Sequence, residues 1–255
     1  MQYLPYVYIG IGALSLGLFC YLRDKKSSII AICVKTLVSI MFMLTGVFAL
    51  LNNQNPWESI KISAMFMIFG LVLGLIGDIV LDLKIYVKGL EYDKAQKDSD
   101  TLTYFGMLAF GIGHIFYIFS VFNRYLEAPL IMLWSLLIAI GVAALIFTIA
   151  IGVLKMRFGK FLIPSVAYCV LLSWFIVYCV WRCATQTSEV ENIILVVGSI
   201  MFIVSDLILS MTYFSKPEDY EKKGIMNPES KFLISANHIT YYIAQFLIAI
   251  AIMFI

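Results

Sequence analysis

Two aspartates, Asp78 and Asp206, stand inside long apolar runs, and Lys35, His114, Tyr117, Tyr168, Ser205, Tyr241, Tyr242 and Gln245 are set into other such runs. A charge at the centre of a spanning helix costs about 2.5–3.5 kcal/mol on the insertion scale, so each buried charge calls for a compensating role. Two carboxylates in apolar surroundings suit acid–base work in which one keeps its proton while the other stabilises charge or activates water, as in glycosidases. The same inventory also builds proton relays, so a proton-coupled carrier of a small molecule or lipid is the alternative class. Two Asp with His114 and His238 offer metal donors, but no close spacing such as His-Glu-x-x-His is present. No metal and no cofactor is therefore expected.

The elements that hold these residues must be membrane helices. The 255 residues are 62% hydrophobic and 13% charged, against roughly 45–50% and about 25% in soluble domains. A net charge of +2 leaves no basic field for nucleic acid. Cys20, Cys33, Cys169, Cys179 and Cys183 lack zinc or redox spacing and read as small hydrophobes. With about 20 apolar residues needed per crossing, the charges divide the chain into spans near 3–22, 28–51, 61–83, 102–122, 128–151, 158–181, 190–211 and 232–255. The expected fold is an all-α membrane protein of eight transmembrane helices in a single polytopic domain, with 84–101 as a long polar loop. The first run lacks a basic flank and a small-residue cleavage site, so it is expected to stay in the protein.

Basic residues orient the spans, because Lys and Arg of short loops are retained on the cytoplasmic side. Arg23, Lys25 and Lys26 follow span 1, Lys84, Lys88, Lys94 and Lys97 follow span 3, Lys155, Arg157 and Lys160 follow span 5, and Lys216, Lys222, Lys223 and Lys231 follow span 7. Only Lys61, Arg124 and Arg182 lie on the other side. Both termini are therefore expected to be extracytoplasmic or lumenal. This orientation puts Lys35, Asp78, His114, Tyr168, Asp206 and the Asn237–Gln245 group in one slab, the cytoplasmic half. Asp82, nearer the interface, reads as a solvated helix end. Lys35 lies too deep to snorkel easily and calls for a carboxylate partner. His114 and Gln245 have plainer readings as interhelical hydrogen-bonding groups, and the tyrosines as members of interface belts.

Helical spacing sets Gly70, Gly74, Asp78 and Asp82 on one stripe, and His238, Tyr241, Tyr242 and Gln245 on another. Those stripes are expected to face each other across an interior cavity. A faint repeat pairs Asp78 with Asp206 and His114-Ile-x-Tyr117 with His238-Ile-x-Tyr241, at offsets of 128 and 124 residues. It would divide the chain into two parallel four-helix halves.

From span 2 to span 8 the chain resembles the YhhN family, the lysoplasmalogenases. The resemblance rests on Lys35, Gly77-Asp78, Phe110-x-x-x-His114-x-x-Tyr117, Tyr168, Gly198-x-x-x-Phe202-x-x-Ser205-Asp206 and Tyr241-Tyr242-x-Ala244-Gln245. The family pattern does not require histidine at His238. The resemblance implies hydrolysis of the vinyl ether bond of a lyso ether phospholipid, lysoplasmenylethanolamine or lysoplasmenylcholine, to a fatty aldehyde and glycerophosphoethanolamine or glycerophosphocholine. Asp78 and Asp206 would be catalytic, with Lys35, His114, Tyr117, Tyr168, Ser205, Tyr241, Tyr242 and Gln245 in support. Lys35 would keep one carboxylate ionised or meet the phosphate. His114, Tyr168 and Tyr242 would hold water or orient the acid, and Gln245 would bind glycerol. The membrane would be the endoplasmic reticulum in a eukaryote or the inner membrane in a bacterium. Oligomeric state and headgroup preference are left open.

Overall fold

The structure is a computed structural model that describes residues 2–23, 28–53, 58–90, 92–125, 129–185 and 189–255. Among these, eight α-helices are long and apolar enough to cross a membrane. They are α1 (Leu4–Leu22), α2 (Ile29–Asn52), α3 (Glu58–Lys88), α4 (Ala95–Tyr125), α5 (Pro129–Thr148), α6 (Leu162–Thr185), α7 (Val190–Phe214) and α8 (Lys231–Ala251). The protein is an all-α, multi-pass membrane protein. The segment bearing Lys25 and Lys26, part of the orientation argument, lies outside the described residues, as does position 128, the expected first residue of span 5.

Helix starts follow local chemistry. Ser28 caps α2 by accepting the Ala31 N–H, and Ser230 caps α8 by accepting that of Leu233, each satisfying a backbone donor that the helix leaves orphaned. Pro5 occupies the first turn of α1, where a missing N–H costs nothing. α5 widens at its end into a π-turn, Ile149–Val153, and the chain then reverses through Lys155 in the left-handed region at φ 59°.

One expectation is corrected here. The polar stretch 84–101 is not a long loop. α3 continues through Lys88 and α4 begins at Ala95, so only a short turn connects them. Hydropathy marks where a helix leaves the bilayer, but Lys, Gln and Ala are good helix formers and Asp, Ser and Thr cost only a few tenths of a kcal/mol each, so charges end the apolar run without ending the helix.

Packing follows a pseudo-two-fold plan. α2 packs on α1, α3 and α8, while α6 packs on α5, α7 and α4. Adding four to each helix number, cyclically, carries the first set into the second. α3–α4 and α7–α8 form the two most extensive pairs. Within α3–α4, glycine permits the close approach. A Cβ on Gly70 would lie 2.2 Å from the Tyr117 ring, and one on Gly113 would lie 3.2 Å from the Gly70 carbonyl, the small-residue packing expected where no hydrophobic drive pushes helices together. Tyr117 is fully buried and cannot swing aside. Gly70→Ala is therefore expected to destabilise the protein by about 1–3 kcal/mol through overpacking, seen as a lowered thermal midpoint in detergent.

The plan keeps half of the sequence repeat and corrects the other half. Gly70 and Gly198 share the 128-residue spacing of Asp78 and Asp206. Gly70 abuts Gly113 and Tyr117, whereas Gly198 abuts Ala244 and Ile248, so facing positions on α4 and α8 are 131 residues apart. His114 and His238, 124 apart, thus sit about two turns out of register. The aspartates are structural counterparts and the histidines are not.

Candidate functional site

The last turns of α3 and α7 and the first turns of α2, α4, α6 and α8 meet at one end of the bundle, around a cavity of about 1360 Å³. Asp78, Asp206, Lys35, Tyr168, Ser205 and Tyr241 line it. The slab expected from the sequence thus corresponds to a physical chamber.

Asp78 on α3 is 3% exposed and has partners from two other helices. Lys35 of α2 lies one turn before Ser39 on the same helix face. Its Nζ is 3.4 Å from Asp78 Oδ1 and 3.4 Å from Asp82 Oδ1. Ser39 Oγ donates to Asp78 Oδ2 at 2.7 Å, and the Tyr241 hydroxyl of α8 donates to the same oxygen at 2.9 Å. Behind them, Gln245 Nε2 donates to the Tyr241 hydroxyl at 2.9 Å while the Tyr117 hydroxyl donates to Gln245 Oε1 at 3.0 Å. The Tyr242 hydroxyl lies 3.0 Å from Ser39 Oγ. A relay of polar side chains from α4 through α8 therefore fixes Asp78 from behind, with two of its links off the cavity wall.

Asp206 on α7 is held differently. The Tyr168 hydroxyl of α6 donates to its Oδ2 at 2.5 Å, and no cation pairs with it among the described residues. Tyr168 is braced edge-on by His114, whose ring centroid is 5.8 Å away. Asn237 Nδ2 donates to Ser205 O at 2.8 Å and to Ser205 Oγ at 3.0 Å, tying α8 to α7 next to Asp206.

The family-model comparison gives the decisive observation: the model of the YhhN family matches residues 30–252, nearly the whole bundle. The chain belongs to the YhhN family. No curated protein and no solved structure matches it. Seen as a YhhN chain, the matched region spans α2 to α8 and so contains both aspartates and every partner just described.

Several sequence expectations change at this level. Asp82 is 1% exposed and shares the Lys35 ammonium, so it is not a solvated helix end. It lies one turn beyond Asp78 on the same face, and the lysine that meets one carboxylate reaches both. Lys35 is committed to these two carboxylates and is not free for a phosphate. Gln245 does not line the cavity, so it is a link between Tyr117 and Tyr241 and not a glycerol ligand. Tyr242, Tyr117 and His114 also stand off the cavity wall. His114 turns Nδ1 to the Phe110 carbonyl at 2.9 Å and packs edge-on against Phe202, Phe175 and Tyr117, so in this YhhN protein it does not line the cavity and reaches Asp206 only through its packing on Tyr168.

Ser39 was missed. Its signal was the i, i+4 spacing from Lys35, the periodicity used for the aspartate stripe but not applied to α2. Among the described residues no three His, Cys, Asp or Glu side chains gather as metal ligands do.

Proposed function

We propose that this YhhN protein is a membrane-embedded lysoplasmalogenase, hydrolysing the vinyl ether bond of a lyso ether phospholipid by carboxylate acid–base chemistry. The observation that supports it is the pair of aspartates lining one cavity, Asp78 buried and Asp206 partly buried, with unlike partners. Asp78 faces an ammonium and two hydroxyl donors, the setting of an ionised carboxylate. Asp206 has a single phenol and no cation, the setting of the member that carries the proton.

Asp206 delivers its proton to the outer vinyl carbon, and the carbon bonded to the ether oxygen becomes an oxocarbenium ion. Asp78 stabilises that cation and takes a proton from the water that adds to it. The resulting hemiacetal collapses as Asp78 returns its proton to the leaving glycerol oxygen and Asp206 takes the hemiacetal O–H proton, giving the fatty aldehyde and the free glycerol hydroxyl, restoring both carboxyls and consuming one water. Tyr168 orients the acid, while Ser39, Lys35 and Tyr241 hold the base. In the orientation favoured by the basic residues, the cavity faces the cytoplasm and both termini lie on the opposite side.

The test compares purified protein acting on lysoplasmenylethanolamine and on its saturated alkyl-ether counterpart. Aldehyde is expected from the vinyl ether alone, with a rate that falls severalfold in D2O because proton transfer to carbon limits it. Absence of aldehyde from folded protein, together with proton-coupled solute flux in liposomes, would replace this reading with the carrier.

A further inference from the structure

Arg23 closes α1 and is 4% exposed. Its Nε and Nη1 are buried without a hydrogen-bond partner. A guanidinium cannot shed its charge by deprotonation, and leaving its donors unpaired in a buried place is costly. Arg23 lines the large cavity and also a second, polar chamber of about 400 Å³ whose walls include Lys222, Lys223 and Lys231. Three of the cations nearby have partners of their own. Lys35 sits between Asp78 and Asp82, Lys222 pairs with Asp219 at 2.7 Å, and Lys231 Nζ donates to the Tyr21 carbonyl at 3.1 Å.

We propose that Arg23 is the oxyanion-recognition residue of the cavity and binds the phosphodiester of a lyso-phospholipid headgroup. The planar guanidinium matches two phosphate oxygens at once, and the chamber beyond it gives the rest of the headgroup room in a polar, basic setting. Glu229 lies on the wall the two cavities share. A carboxylate there disfavours a phosphate dianion more than a phosphodiester monoanion. The same cavity is lined by Ile146, Phe147, Ile149 and Ala150 at the end of α5, an apolar stretch that suits the single hydrocarbon chain. The inference rests on the lysoplasmalogenase reading for its substrate class, but it concerns binding and can be tested without turnover.

The experiment measures equilibrium binding of three probes to the full-length protein in detergent: a non-hydrolysable 1-O-alkyl-lysophosphoethanolamine, the matching phosphate-free 1-O-alkylglycerol, and inorganic phosphate. Arg23→Gln is expected to weaken the lyso-phospholipid about 30-fold or more, the loss typical of removing one partner of a buried charged contact. The alkylglycerol should bind wild type and variant alike, which also shows that the variant is folded. Arg23→Lys, keeping the charge without the planar fork, should fall between. Inorganic phosphate should fail to displace the lyso-phospholipid at millimolar concentration. Equal weakening of both lipids, unchanged binding of the lyso-phospholipid to Arg23→Gln, or efficient displacement by inorganic phosphate would each overturn the proposal. Arg23-dependent binding in a protein that releases no aldehyde would uphold this subsite while removing the hydrolase reading.

Discussion

Asp206→Asn is expected to lower kcat for vinyl ether cleavage by about 10²–10⁴-fold, the range that a positioned general acid contributes. The carboxamide keeps the size of the side chain and can still accept from the Tyr168 hydroxyl, so the fold should persist. What it lacks is a transferable proton. Because the substrate is held by other contacts, KM should change little, the pattern of an interaction made only in the transition state. Asp78→Asn should show a fall of similar size, through loss of the charge that stabilises the oxocarbenium ion. If the two act as a unit, the double variant should be scarcely worse than either single one, since coupled catalytic groups are not additive. Aldehyde release, measured beside thermal unfolding of each variant, checks all three. Full activity in folded Asp78→Asn or Asp206→Asn would remove the acid–base assignment.

The second large effect falls on stability. Lys35→Met is expected to destabilise the protein by about 3–5 kcal/mol, because it leaves two buried carboxylates facing each other without their counter-charge. Both are nearly inaccessible, and Asp82 Oδ2 already has no partner. The loss should be largely recovered by adding Asp82→Asn, which removes one of the uncompensated charges and leaves Asp78 with Ser39 and Tyr241. Thermal unfolding of the single and double variants forms the cycle that measures this coupling. Equal destabilisation in Lys35→Met and in the double variant would mean that the lysine contributes packing alone.

The eight crossings were legible in the sequence because apolar length is a nearly sufficient signal in a bilayer. Spans 1, 2, 7 and 8 agree with α1, α2, α7 and α8 to within a few residues. The two helices that were underestimated, α3 and α4, carry charge at the ends where they leave the membrane, and there hydropathy and helicity part company. At the site, depth was legible and direction was not. Lys35 called for a carboxylate, and it has one. The sequence does not say that the same ammonium reaches Asp82 as well, since that depends on how α2 and α3 lie against each other. Nor does it say which polar residues face the cavity and which stand behind it, and for this reason the glycerol-binding role expected of Gln245 and the water-holding role expected of His114 do not fit their places off the cavity wall. Arg23 was counted only as an orientation signal. A basic residue at the end of a span is ordinary, and its unpartnered guanidinium becomes visible only once neighbouring helices close around it.

α1 and α5 are structural counterparts in the pseudo-two-fold plan and are the two least buried crossings, yet the end of each reaches the same chamber, one with a guanidinium and the other with an apolar turn. On the lysoplasmalogenase reading, a lyso-lipid anchored at the first pole would have its vinyl ether at a distance set by the three glycerol carbons, whatever the hydrocarbon length. All variation in the tail is absorbed at the α5 pole, where the wall is apolar and ends in a widened helical turn. The enzyme should accordingly be a strict ruler for the headgroup side and a tolerant one for the chain. A one-carbon change in the backbone between phosphate and ether should cost far more turnover than adding or removing several methylenes at the far end.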